Sequence, residues 1–223
     1  MELSYWESRW RKEKTGFHMP GGYPGLKIYW NRLSLDANPC VLVPLCGKSV
    51  DLVQLERFGT TVLGVEISEK AILDFFDEQN RLFETDSHGN FIIRKSNRIE
   101  IWQGDFFKFP ANKCPQLDLI YDKAALTALP PKMHEQYVNK ICELAGSSAT
   151  ILLHHFVYAQ EQMPGPPFSI TESEILRLFS NLYEIKMLEE NTIPAENFPP
   201  FQRRGLKSPL QERLLCMSPH SGA

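Results

Sequence analysis

The chain has 223 residues, of which 43% are hydrophobic and 23% charged, and a net charge of −3. That length suits one domain that buries its own core without disulfide or metal staples, and the composition excludes a disordered chain. The slightly acidic balance excludes a strongly basic nucleic-acid module and offers nothing to an anionic membrane surface.

In chain order, residues 3–17 predict a helix with Trp6 and Trp10 on one face, four residues apart. The Gly-Pro cluster at 19–25 breaks it, and a second short helix is expected over 26–35. The apolar run 40–45 reads as a strand buried on both faces. Cys46-Gly47-Lys48-Ser49 turns the chain into a helix over 50–58, stopped by Gly59. A second buried strand follows at 61–67, then a helix over 69–83 capped by Ser68. Residues 91–93 and 99–102 flank Ser96-Asn97 and predict a hairpin.

Further strands are expected at 117–121, 149–157, 183–188 and 214–217. Helices are expected at 133–144 and, after a capping box at Thr171-Glu174, up to residue 179. Strands alternating with helices imply a doubly wound α/β sheet covered on both faces. The Pro-rich stretch 193–200 is long enough to be a functional loop. Five cysteines without a C-x-x-C pair point to reduced thiols in the cytoplasm. No secretory signal, membrane span or metal motif is expected.

In such a sheet, ligands bind beyond the carboxyl ends of the strands. The turn at 45–49 is not a P-loop, because the first glycine of that motif would fall on Leu42. A dinucleotide glycine fingerprint is also absent, so a ligand without phosphate fits better. Glu66 ends the second strand nineteen residues after Gly47, where a carboxylate can take two ribose hydroxyls; a strand-end glutamate capping the next helix is the alternative. Asp105 and Phe106 follow an apolar strand and Gly104, placed to meet an adenine or simply to turn the chain. A ribose, an adenine and no phosphate suggest S-adenosylmethionine.

The sequence resembles the thiopurine S-methyltransferase family along nearly its whole length. The resemblance rests on Trp6-x-x-x-Trp10 with Thr15-Gly16-Phe17-His18, then on Pro44-Leu45-Cys46-Gly47-Lys48-Ser49 and Gly64-Val65-Glu66-Ile67-Ser68. It continues in Gly104-Asp105-Phe106-Phe107, Tyr121-Asp122-Lys123-Ala124-Ala125-Leu126 and Gly165-Pro166-Pro167-Phe168. The run Arg204-Gly205-Leu206-Lys207 is similar to bacterial members.

The resemblance implies a class I methyltransferase, Rossmann-like, with a mostly parallel seven-stranded sheet. A helical arm at 1–35, a core at 40–223 and a substrate loop near 191–206 would form a single domain. It implies that Trp6, Trp10, Phe17, Leu45, Gly47, Glu66, Asp105, Phe106 and Lys123 bind S-adenosylmethionine. Phe17, Pro166, Pro167 and Arg204 would border the acceptor, and Lys123 and Asp122 would serve catalysis. Lys123 stands where the family usually has arginine, which keeps the charge but loses the bidentate fork.

The expected activity is methyl transfer to the sulfur of a small aromatic or heterocyclic thiol, a detoxification chemistry performed by a monomer. Methylation of selenium or tellurium species is a competing expectation, and a cofactor-binding module without activity is the non-enzymatic one. No histidine is expected to be essential.

Overall fold

The computed structural model describes residues 3–220. Two compact units divide the chain, residues 1–120 and 121–223.

In the first unit, helix α1 (Leu3–Arg11) ends earlier than its apolar spacing predicts. Glu13 takes left-handed backbone (φ +54°), and the N–H groups of Glu13 and Lys14 return to the carbonyls of Trp10 and Arg9. These are the two bonds of a Schellman stop. Helix α2 (Pro24–Tyr29) and a 3-10 turn follow, before strand β1 (Cys40–Pro44). Helix α3 (Asp51–Arg57) stops at Gly59, φ +86°, as its sequence predicts. Strand β2 (Thr61–Glu66) leads into α4 (Glu69–Glu78), where the Ser68 hydroxyl caps the Ala71 N–H at 3.3 Å.

Helix α4 is shorter than the expected 69–83, because Asn80 adopts φ +50° and a second Schellman pair closes on Asp77 and Phe76. The hairpin at Asn97 joins β4 (Phe91–Ser96) to β5 (Ile99–Gln103), as expected. An unexpected strand, β3 (Glu84–His88), is exposed throughout and pairs antiparallel with β4. It carries no apolar alternation, so only its pairing defines it.

Strand β6 (Leu119–Lys123) begins beside β1, with Val41 opposite Leu119. The second unit adds α5 (Ala125–Ala128), α6 (His134–Ala145), β7 (Thr150–Val157) and α7 (Glu172–Phe179). It ends with β8 (Tyr183–Ile193), α8 (Pro199–Gln202) and β9 (Leu210–Pro219). The Thr171 hydroxyl caps α7 through the Glu174 N–H at 3.3 Å. Strands β8 and β9 are longer than their apolar segments, because they pair with each other over their full length. The expected loop at 193–200 is partly a 3-10 turn and α8.

The sheet has nine strands, in the order β3-β4-β5-β2-β1-β6-β7-β9-β8, rather than seven. The additional pair is the β3–β4 hairpin on the outer side of β5. Parallel pairing joins β5, β2, β1 and β6, whereas β3–β4, β4–β5, β7–β9 and β8–β9 are antiparallel. Among the described residues no helix is long and apolar enough to cross a membrane.

Candidate active site

Strand β1 ends in a tight turn. Leu45 (φ +48°) and Gly47 (φ +54°) are both left-handed, and between them Cys46 donates its N–H to the Val65 carbonyl at 3.2 Å. The turn therefore lies against the end of β2. There Glu66 is buried and its two carboxylate oxygens are divided. Oε2 accepts the Gly47 N–H at 2.8 Å and Oε1 accepts the Ser68 N–H at 2.7 Å.

Burial pushes the Glu66 carboxyl above the ordinary carboxylate range, while the backbone donors of Ser68, Gly47 and Ile67 pull it back. Each carboxylate oxygen offers about two acceptor positions, so the three backbone donors leave part of that capacity unused. The Glu66 side chain thus supports the start of α4 and keeps some acceptor capacity for a ligand hydroxyl.

Trp10 is buried over the same turn. A Cβ on Gly47 would lie 2.8 Å from Trp10 Cζ2, so the ring rests on bare backbone. Phe17 meets Trp6 and Trp10 edge-on at 5.6 and 5.3 Å, and is itself 39% exposed. Gly47→Ala therefore adds left-handed strain and a clash with the indole. It is expected to cost about 1–2 kcal/mol, or about 2–8 °C in melting temperature for a chain of this size. An unchanged thermal midpoint would remove the close Trp10–Gly47 packing from the account.

The strand next to β2 brings Asp105 and Phe106 into this region. Gly104 donates its N–H to the Glu66 carbonyl at 2.8 Å. Asp105 caps the following 3-10 turn through the Phe107 N–H at 3.1 Å, and Lys108 Nζ lies 3.7 Å from its other oxygen. Phe106 is buried. The first unit thus gathers Trp6, Trp10, Phe17, Leu45, Gly47, Glu66, Asp105 and Phe106 around the ends of β1, β2 and β5.

In the second unit Asp122 is buried and fully engaged. Oδ1 accepts the N–H groups of Ala125 and Leu126 at 2.8 and 3.2 Å, and Oδ2 accepts the Tyr137 hydroxyl at 2.8 Å. Burial pushes its carboxyl up to about 6, against those three donors. The resemblance assigns Asp122 to catalysis; in the structure its carboxylate holds the turn and the Tyr137 hydroxyl. That turn holds Ala124 at φ +65° and so fixes the backbone that carries Lys123.

Beside Lys123 lies a pair that sequence reading missed. His154 Nε2 and Glu212 Oε1 are 2.7 Å apart, from residues 58 positions apart in the chain. Burial lowers the His154 pKa, Glu212 opposes this and the Lys123 charge reinforces it. His155 is pushed down to about 3, chiefly by burial, and its Nδ1 sits 3.1 Å from the Ile170 carbonyl. Both imidazoles are therefore neutral near pH 7.

Pro166 and Pro167 form a turn with two cis peptide bonds. The Tyr158 hydroxyl donates to the Pro167 carbonyl at 2.6 Å, and the Phe168 N–H donates to the Thr127 carbonyl at 2.6 Å. The Arg204 guanidinium donates to the Pro164 carbonyl, which sets this exposed side chain on the same turn. Gln162 holds the segment before β9 by accepting the N–H groups of Lys207 and Ser208 at 2.8 and 3.0 Å. No local spacing signals Gln162, because its partners lie some 45 residues away.

The family profile described as "Thiopurine S-methyltransferase (TPMT)" matches residues 1–215. The chain belongs to the thiopurine S-methyltransferase family. It is 40% identical over 214 residues to the thiopurine S-methyltransferase of Azotobacter vinelandii strain DJ, covering 96% of this chain and 97% of that one. It is 36% identical over 223 residues to that of Pseudomonas fluorescens strain Pf-5, covering all of both. The fold is also that of a Burkholderia thailandensis 1,6-didemethyltoxoflavin-N1-methyltransferase solved with bound S-adenosylhomocysteine. The TM-score there is 0.64 at 14% identity, over 97% of this chain and 86% of that one. A family member of this fold is an S-adenosylmethionine-dependent methyltransferase, and S-adenosylmethionine is its cofactor.

Proposed function

We propose that this methyltransferase acts, as a monomer in the cytoplasm, on the sulfur of a small aromatic or heterocyclic thiol. When bound, S-adenosylmethionine supplies a methyl group on a sulfonium sulfur, open to in-line displacement by the acceptor. Trp6, Trp10 and Phe17 exclude water over the Leu45–Gly47 turn, Glu66 accepts the ribose hydroxyls, and Asp105 and Phe106 hold the adenine. Phe17, Pro166, Pro167 and Arg204 border the acceptor. Lys123, on a turn held by Asp122, favours the ionised thiol by its charge.

The observation that carries the reading is the pair of buried His154 with Glu212, 2.7 Å apart, beside Lys123 at the end of β6. Burial makes both imidazoles, His154 and His155, weaker bases, which suits an acceptor that ionises by itself, as aromatic thiols do. The protein's part is then alignment and exclusion of water.

The test is methyl transfer from labelled cofactor to a panel of thiols, selenite and halides, with pH–rate profiles for two thiols of different acidity. Each kcat/KM profile is expected to follow the acceptor's own pKa. Lys123→Met should lower kcat/KM by about 1–3 kcal/mol, whereas Lys123→Arg should be tolerated. One profile common to both thiols and abolished in His154→Gln would install that histidine as the base and end this reading. Preference for selenite over every thiol would replace the acceptor class.

A further inference from the structure

The strand pair that exceeds the seven-stranded expectation has an unassigned role. We infer that the β3–β4 hairpin braces the nucleoside side of the cofactor site, with Arg94 as its positioning residue. The inference rests on the reading of Glu66 and Asp105 as the residues that hold the nucleoside.

Arg94, in the middle of β4, is only 6% exposed. Its guanidinium donates through one nitrogen to Gln103 Oε1 at 2.5 Å and through another to Glu69 Oε1 at 2.7 Å. These two partners flank different loops, the one after β2 and the one after β5. Glu69 opens α4 directly after Ser68, whose N–H holds Glu66 Oε1 at 2.7 Å. Gln103 ends β5 opposite Glu66 and lies two residues before Asp105.

The planar fork of arginine can hold two acceptors in fixed directions, which one ammonium cannot do. Arg94 therefore locks the loop after β2 to the loop after β5. A second contact from the same strand acts in the same direction. The Phe91 ring fills the space that a Cβ on Gly104 would occupy, and it packs edge-on against Trp102 at 5.6 Å and Phe109 at 6.0 Å. Gly104 precedes Asp105 and donates its N–H to the Glu66 carbonyl. The hairpin thus grips the nucleoside loops at Glu69, Gln103 and Gly104. Binding groups displaced by a fraction of an ångström lose much of their effect, so such a brace acts on affinity.

The experiment compares wild type, Arg94→Met, Arg94→Lys and Glu66→Ala. Calorimetry reads the affinity for S-adenosylhomocysteine, and steady-state kinetics reads the KM of the cofactor and of a thiol acceptor separately. Arg94→Met is expected to weaken S-adenosylhomocysteine by about tenfold and to raise the cofactor KM in parallel. Its acceptor KM and its kcat at saturating cofactor should stay within about twofold of wild type. Arg94→Lys should recover part of the affinity, because an ammonium reaches one partner but not both.

Wild-type affinity in Arg94→Met, with Glu66→Ala impaired, would remove the brace alone. Wild-type affinity in both would remove Glu66 from the nucleoside site, and the brace with it. Equal increases in both KM values would also overturn the inference, by making Arg94 a general stabiliser. Should Arg94→Met not fold, Glu69→Gln tests the same link from a half-exposed position. About threefold weaker binding is expected there, and unchanged binding would overturn the brace.

Discussion

Glu66→Ala is expected to weaken S-adenosylmethionine binding by about 2–4 kcal/mol, the range for losing hydrogen bonds to a charged group. Two losses combine in that figure. The ribose hydroxyls lose a carboxylate acceptor, and the N–H groups of Gly47 and Ser68 lose the oxygens that hold them at 2.8 and 2.7 Å. The second loss loosens both loops even without ligand, so the variant should also unfold at a lower temperature.

Glu66→Gln distinguishes the two losses poorly, because its amide NH₂ must face one of the same backbone donors. Isothermal calorimetry with S-adenosylhomocysteine on the folded Ala variant is the direct measurement. Wild-type affinity there would take Glu66 out of the site. Because burial raises the Glu66 carboxyl, its protonation at low pH should begin to weaken binding before an exposed glutamate would titrate.

Asp122→Ala is expected to lower folding stability by about 3–5 kcal/mol, since it leaves two backbone N–H groups and a buried phenol without an acceptor. Asp122→Asn should cost far less. The amide oxygen can still accept from Ala125 and Leu126, and the Tyr137 hydroxyl can turn round to accept from the amide nitrogen.

The two carboxamide and carboxylate forms separate by pH. The folded Asp122 carboxyl lies at about 6, above its ordinary value of 3.8. Its contribution to stability is therefore complete below about pH 4 and is lost as pH rises through 6. Urea unfolding from pH 4 to 7 should show Asp122→Asn gaining on wild type across that window. Parallel curves would mean that Asp122 ionises in the folded protein as it does in the unfolded chain. Loss of methyl transfer in a fully folded Asp122→Asn would assign the carboxylate to catalysis.

What the amino-acid sequence determined by itself was local or strongly patterned. The Val-Leu runs of β1 and β2, the Gly59 stop and the Ser68 and Thr171 caps all depend on residues within about four positions of one another. The order of short motifs from Trp6 to Phe168 was also legible, and it carried the family. Left-handed stops at Glu13 and Asn80 were less so, because neither is glycine and each is selected by the bonds that close behind it. Strand β3 has no apolar face, so its existence depends on the partner β4.

Asp122 shows the same division within the site. Its position at a strand end is a sequence property, but its work depends on Tyr137, a helix away. The His154–Glu212 pair and the Arg94 link to Glu69 and Gln103 were decided by the tertiary structure alone. Sheet pairing brings together side chains that no spacing along the chain relates, and burial then makes each of those polar groups depend on the partner it finds there.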